Sequence, residues 1–109
     1  MQSQSGAIVA SKVILADTSI SRARGLLGHS EMPLGEALWI IPCSMIHTFF
    51  MQFAIDVLFL DKEMKVVRVL ENLAPWRITP WILSAHSVLE LAAGSLKGSV
   101  KVGDILKFQ

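Results

Sequence analysis

Ile55-Asp56-Val57-Leu58-Phe59-Leu60, Asp61-Lys62-Glu63-Met64-Lys65 and Val66-Val67-Arg68-Val69-Leu70 are two apolar, β-rich runs separated by five mostly polar residues. Runs of this length and composition read as strands, and a short polar connection between them makes a hairpin. The first run has apolar residues at both odd and even positions, the pattern of a strand covered on both faces. Asp56 is the one charge inside it.

Working outward, residues 8–16 read as a first strand or strand pair. Asp17, Thr18 and Ser19 then offer side-chain oxygens for a helix N-cap. Ile20, Ala23 and Leu27 recur at helical spacing and Gly28 can supply the left-handed stop, so residues 19–27 read as a short amphipathic helix. Residues 37–41, with Trp39, read as a buried strand ended by Pro42. The stretch 43–53 is rich in aromatics and Met without a clean period, and reads as a loop leading into a strand. Residues 72–80 hold Pro75 and Pro80 and read as an irregular loop. Further strands are expected at 87–91 and 105–108, with a turn or single helical turn at 94–100 and a tight turn at Gly103-Asp104. Several short strands separated by turn signals, and no internal repeat, predict a mainly β domain with one or two short helices, its sheet mostly antiparallel and folded as a small sandwich or barrel. Residues 1–7 are expected to be a flexible N-terminus ahead of a single globular domain over 8–109.

Of the 109 residues 52% are hydrophobic, which argues for one well-filled core and against disorder. Pro42, Ser44, His47, Thr48, Gln52 and Asp56 interrupt the richest apolar stretch, so no membrane-spanning helix is expected. Ten Lys and Arg against nine Asp and Glu, scattered along the chain, leave a formal charge of +1 and no basic footprint for nucleic acid. Cys43 is the single cysteine, so neither an intrachain disulfide nor a paired Cys/His zinc pattern can be written. The opening residues lack a secretory signal pattern, which predicts a cytoplasmic location unless a signal has been removed ahead of residue 1.

Three charges fall where solvent is expected to be scarce. Arg24 lies four positions from Ile20, on or beside the apolar face of the helix. Asp56 sits between Ile55 and Val57, and Glu90 between Leu89 and Leu91. A carboxylate taken out of water costs several kcal/mol unless it is paired or hydrogen-bonded, so at least one of the two should meet Arg24 or a row of backbone N–H groups. The cluster reads either as a structural ion pair or as a polar pocket for an anionic or polyhydroxy ligand. Cys43 and His47, four apart, would share a face only on a helix; Cys43 reads as a buried, inert thiol and His47 as a core or rim residue. A metal site from His47, Asp56 and His86 would need ligands from three segments and lacks helical spacing, so no metal and no cofactor are called for. Trp76, Arg77 and Trp81 in the proline-containing loop form either a recognition surface or a cover over the edge of the core.

Five motifs taken together resemble a bacterial and archaeal family, domain of unknown function 192: Arg22-Ala23-Arg24-Gly25-Leu26-Leu27-Gly28, Ile46-His47-Thr48-Phe49-Phe50-Met51, Ile55-Asp56-Val57-Leu58-Phe59-Leu60-Asp61, Val88-Leu89-Glu90-Leu91-Ala92-Ala93-Gly94 and Val102-Gly103-Asp104. Their order and spacing match from about Val13 to Phe108. The resemblance implies a compact mainly β domain with short helices, and it implies no established activity, substrate or cofactor. Many members carry Trp-Met-Lys-Asn-Thr where this chain has Phe50-Met51-Gln52-Phe53-Ala54, so a lysine and an asparagine of the family pattern are missing here. Many also look exported or membrane-anchored, a location that the residues present here do not repeat.

The leading functional expectation is a non-enzymatic ligand-binding or accessory module with a polar cluster of Arg24, His47, Asp56 and Glu90, whose partner is a small polar or anionic ligand. One rival is a small hydrolase or lyase using Asp56 or Glu90 as general base. The other is a homodimeric module that meets its copy through the Trp76 loop; monomer and homodimer both stay open.

Overall fold

The computed structural model describes residues 1–3, 6, 8–26 and 28–107, the side chains of Ala23 and Arg24 excepted. In chain order the elements are β1 (Gln2–Ser3), β2 (Lys12–Ala16), α1 (Ser19–Arg24), β3 (Glu36–Ile40), β4 (Ile55–Leu60), β5 (Val66–Leu73), β6 (Ser87–Ala92) and β7 (Leu106–Lys107). Five strands form one sheet in the order β2-β3-β6-β4-β5, and β1 and β7 form a second, two-stranded sheet. The mainly β domain expected from the sequence is therefore what the chain forms. All pairings are antiparallel except β2 with β3, and parallel neighbours need a crossover, which α1 and the loop behind it supply.

β4 and β6 occupy the middle of the large sheet, and every residue of both is buried. This is why they are apolar at odd and even positions alike. Alternation along the strands divides the core in two. Leu58, Leu60, Leu89, Leu91 and Ala37 face one cluster, which Leu96, Val100 and Leu106 complete. Val57, Phe59, Val88, Leu38 and Ile40 face the other, with Leu26, Ile46 and Met51.

The β4–β5 hairpin forms where the sequence predicts it. The Asp61 carboxylate accepts from the backbone N–H groups of Glu63 and Lys65, both at 2.9 Å, folding the connection around its own first residue. β5 runs past residue 70, because Asn72 at φ 56° makes a bulge: Val57 pairs with Leu70 but Ile55 with Leu73, one residue too many on β5. The Asn72 N–H, displaced from the ladder, donates instead to Asp56 Oδ1 at 2.8 Å, and Leu96 N–H donates to Asp56 Oδ2 at 3.0 Å. Asp56 thus meets the backbone N–H groups that its burial requires.

Other boundaries move. Of the stretch 1–7, Met1 is buried and its amino group donates to Ala10 O at 2.7 Å, while Gln2 and Ser3 pair with β7. The segment 43–53 forms no strand; its one ladder-like contact is an isolated bridge from His47 to Ile78. β7 covers 106–107, and Phe108 lies outside the described residues.

Asparagine at position 56 keeps one acceptor but turns an amide donor toward the other N–H. Asp56→Asn is therefore expected to destabilise the fold by about 2 kcal/mol, seen as a lower urea midpoint with an unchanged slope.

Candidate functional site

Thr18 caps α1: its Oγ1 accepts from Ser21 N–H, and Ser21 Oγ accepts from Thr18 N–H, each at 3.0 Å. The helix is shorter than its periodicity suggests, because Gly25 at φ 48° ends it where Gly28 is the expected stop. Its orientation also differs. Ile20, expected on the buried face, is 82% exposed, and the face turned to the sheet carries Ser19 and Arg22, with Leu26 following beyond the helix end. Ser19 and Arg22 are three apart, one helical turn, and so look the same way.

Beneath that face lies a cavity of about 330 Å³. Ile40 at the end of β3, Pro42 and Cys43 after it, then Ile46, His47 and Met51 form its walls, and Glu90 of β6 forms its floor. The 43–51 segment is anchored by bonds outside any ladder. Cys43 N–H donates to His86 O, Thr79 Oγ1 accepts from Ile46 N–H, and Thr48 N–H donates to Arg77 O.

Glu90 is the unusual group. Its side chain belongs to a residue only 4% exposed, and no hydrogen bond or ion pair reaches it from any described residue. Burial pushes its carboxyl from the usual 4.5 up to about 7. Arg22 is the cation on the cavity wall: its Nη1 donates to the carbonyls of Asp17 and Ile41 at 3.3 and 3.4 Å, and no carboxylate pairs with it among the described residues. The Cys43 thiol is pushed above its usual value by burial, against the hydrogen bond to Met45, with smaller opposed effects of the Glu90 charge, which raises it, and of Arg22, which lowers it. It donates to Met45 O at 3.2 Å and makes no bond to His47, whose Nδ1 accepts from Phe49 N–H. These two residues share a wall without forming a nucleophilic pair.

Of the four residues expected to cluster, the cavity brings together His47 and Glu90. Asp56 lies elsewhere. Its register partner on β6 is Leu91, whereas Glu90 pairs with Val57, so the two carboxylates point to opposite faces of one sheet. Asp56 thus lies on the far face of the sheet from the cavity that His47 lines. The Arg24 side chain lies outside the described residues. Arg22 and Ser19, which sequence reasoning passed over, are found only once the helix face is known. In the proline-containing loop, Trp76 and Trp81 are 57% and 68% exposed and Arg77 is exposed as well.

The chain matches the DUF192 family model, described as an uncharacterized ACR, over residues 1–108. It belongs to the DUF192 family. Among its relatives, a UPF0127 protein of Pyrococcus horikoshii is 38% identical over 104 residues, covering 89% of this chain and 87% of that one. A UPF0127 protein of Pyrococcus abyssi is 42% identical over 100 residues, covering 85% and 82%. The fold is also that of a Novosphingobium aromaticivorans protein of unknown function, with a TM-score of 0.79 at 22% identity over 88% of this chain and 74% of that one. This DUF192 domain has no helix, among its described residues, long and apolar enough to cross a membrane.

An acid that holds its proton more tightly folded than unfolded stabilises the fold most at low pH. Stability of the DUF192 domain should fall as pH rises from about 4.5 to about 7, where the unfolded carboxyl ionises first, and level off above. The displacement corresponds to about 3 kcal/mol. Glu90→Gln is expected to remove that decline, so the variant melts higher than the parent at pH 8 and alike at pH 4, measured by thermal denaturation across that range.

Proposed function

We propose that the domain binds a small polar organic anion in the cavity between α1 and the sheet. The observation that carries this reading is Glu90, buried on the cavity floor with no hydrogen-bond or ion-pair partner among the described residues. The Glu90 carboxyl lines the open cavity and is not sealed beneath it, so a ligand there can hydrogen-bond to it directly. Protonated, Glu90 donates to a ligand carbonyl or hydroxyl. Arg22 on the wall neutralises the ligand's anionic end, His47 and Ser19 add further polar groups, and Ile40, Ile46 and Met51 pack its carbon skeleton. About 330 Å³ is at the small end of the range for ligand pockets, which suits a compact acid.

A second reading, hydrolase or lyase chemistry, is favoured by one observation: a carboxyl displaced to about 7 is matched to proton transfer near neutral pH. Glu90 is then the general base or acid. Asp56, with both oxygens engaged by backbone N–H groups on the far face, has no part in it.

Titration calorimetry and thermal shift with malate, galacturonate and phosphate test the reading. Binding of at least one organic acid is expected, weakened roughly tenfold or more by Arg22→Gln. Affinity should fall between pH 6 and 8 as Glu90 ionises, and Glu90→Gln should abolish that fall while keeping binding. No binding by any of the three overturns the reading; conversion of a bound acid to product, lost in Glu90→Gln, selects the second.

A further inference from the structure

An unbroken series of rings leads outward from the cavity wall. His47, which lines the cavity, stacks on Phe49 at 5.0 Å between centroids; Phe49 meets Trp76 at 6.1 Å, and Phe50 meets the edge of Trp76 at 4.7 Å. Phe50 is 70% exposed, so large aromatic faces stand in solvent instead of covering the core. Trp81 is tied to the same wall segment, its Nε1 donating to Ser44 Oγ at 2.8 Å.

The rings are held where they are. Phe50 and Trp76 both have φ 65°, a conformation that costs a bulky residue energy unless its surroundings impose it. Thr48, fully buried, imposes it on both loops. Its carbonyl accepts from Met51 and Trp76 N–H, and its hydroxyl accepts from Arg77 N–H and donates to Ala74 O at 2.7 Å. A surface so fixed is organised before any partner arrives.

We propose that the Phe49–Trp76–Phe50 rings are a sugar-stacking platform continuing the cavity, so that the ligand is an oligosaccharide ending in an acidic sugar, with the uronate in the cavity beside Arg22 and Glu90 and the next ring against Trp76. This rests on the cavity being a binding site for an organic acid. A pyranose has a flat face of C–H groups that packs on the negative face of an aromatic ring, and a rim of hydroxyls that needs donors and acceptors beside it. The ring series and the Ser19, Arg22, His47 and Glu90 groups supply those two halves side by side. An acyl chain entering the cavity would instead strip water from Arg22 and Glu90 without replacing it. An extended peptide would need a free strand edge, and the two loops already bond to each other through Thr48 and the His47–Ile78 bridge.

The test compares galacturonate, the trimers of galacturonic and mannuronic acid, neutral maltotriose and anionic lipid vesicles by calorimetry and co-sedimentation. One acidic trimer is expected to bind roughly tenfold tighter than galacturonate, with maltotriose far weaker. Trp76→Ala should erase that gain and leave galacturonate binding unchanged, and Trp76→Phe should restore most of it. A trimer no tighter than the monomer, or equal loss of both in Trp76→Ala, overturns the platform while the cavity reading stands. Failure of galacturonate, malate and phosphate alike overturns the cavity reading and this one with it. Vesicle binding, or a dimer, that Trp76→Ala dissolves also overturns the platform and assigns the rings to a membrane surface or to a second copy.

Discussion

β4 and β6 lie side by side in the middle of the sheet with all their side chains buried, so a carboxylate on either strand must face one of two hydrophobic clusters. Asp56 and Glu90 are those carboxylates, and the register that sets Val57 against Glu90 sends them to opposite faces. The two are accommodated differently. Asp56 is surrounded by structure that completes it: a bulge in β5 and the turn after β6 each deliver one N–H to its oxygens. The Glu90 carboxyl receives no hydrogen bond from the described residues, and the space above it is a cavity. The same chemical problem is solved on one face with protein and left open on the other.

That contrast separates a structural carboxylate from a candidate functional one, and it arises from what borders each face. Over Asp56 the chain returns closely, with Leu96 and Val100 packed into the cluster. Over Glu90 the covering element is α1, a helix of six residues that ends at Gly25. So short a helix reaches the sheet side through Leu26 just beyond its end and through the Arg22 guanidinium, which donates to Ile41 O, leaving space between. The brevity of α1 and the presence of the cavity are one feature.

Much of this is legible in the sequence. The hairpin is, because the runs at 55–60 and 66–70 are strong β patterns and Asp61 is a good turn organiser. The burial of Asp56 and Glu90 is also legible, since each sits inside a continuous apolar run. What cannot be read locally is parity between strands. Whether Asp56 and Glu90 share a face depends on the pairing register, and 55–60 and 87–92 are far apart in sequence. The helix fails for another reason: over six residues a 3.6-residue period is sampled less than twice, and Ile20, which the spacing places on an apolar stripe, is exposed. A stripe drawn through Ile20 leaves Arg22 off the buried face. The parallel β2–β3 pair was hidden, because the crossover between them carries so little helix.

The segment 45–51 shows how a regular pattern becomes unreadable. Met45 and His47 are exposed while Ile46 and Thr48 are buried, the alternation of an extended strand. Phe50 then takes a left-handed conformation and the phase slips, so that Met51 is the next residue to turn inward. A single such residue makes an alternating stretch look aperiodic, although the physical rule holds on either side of it. The slip also has a structural consequence. It turns Met51 into the cavity and Phe50 out toward Trp76, so one backbone irregularity supplies both a wall of the pocket and a ring of the exposed series. Thr48 sits just before it, with its polar groups committed to the neighbouring loop. Cavity and ring series are thus set by the same few backbone bonds, and a change at Thr48 cannot disturb one without reaching the other.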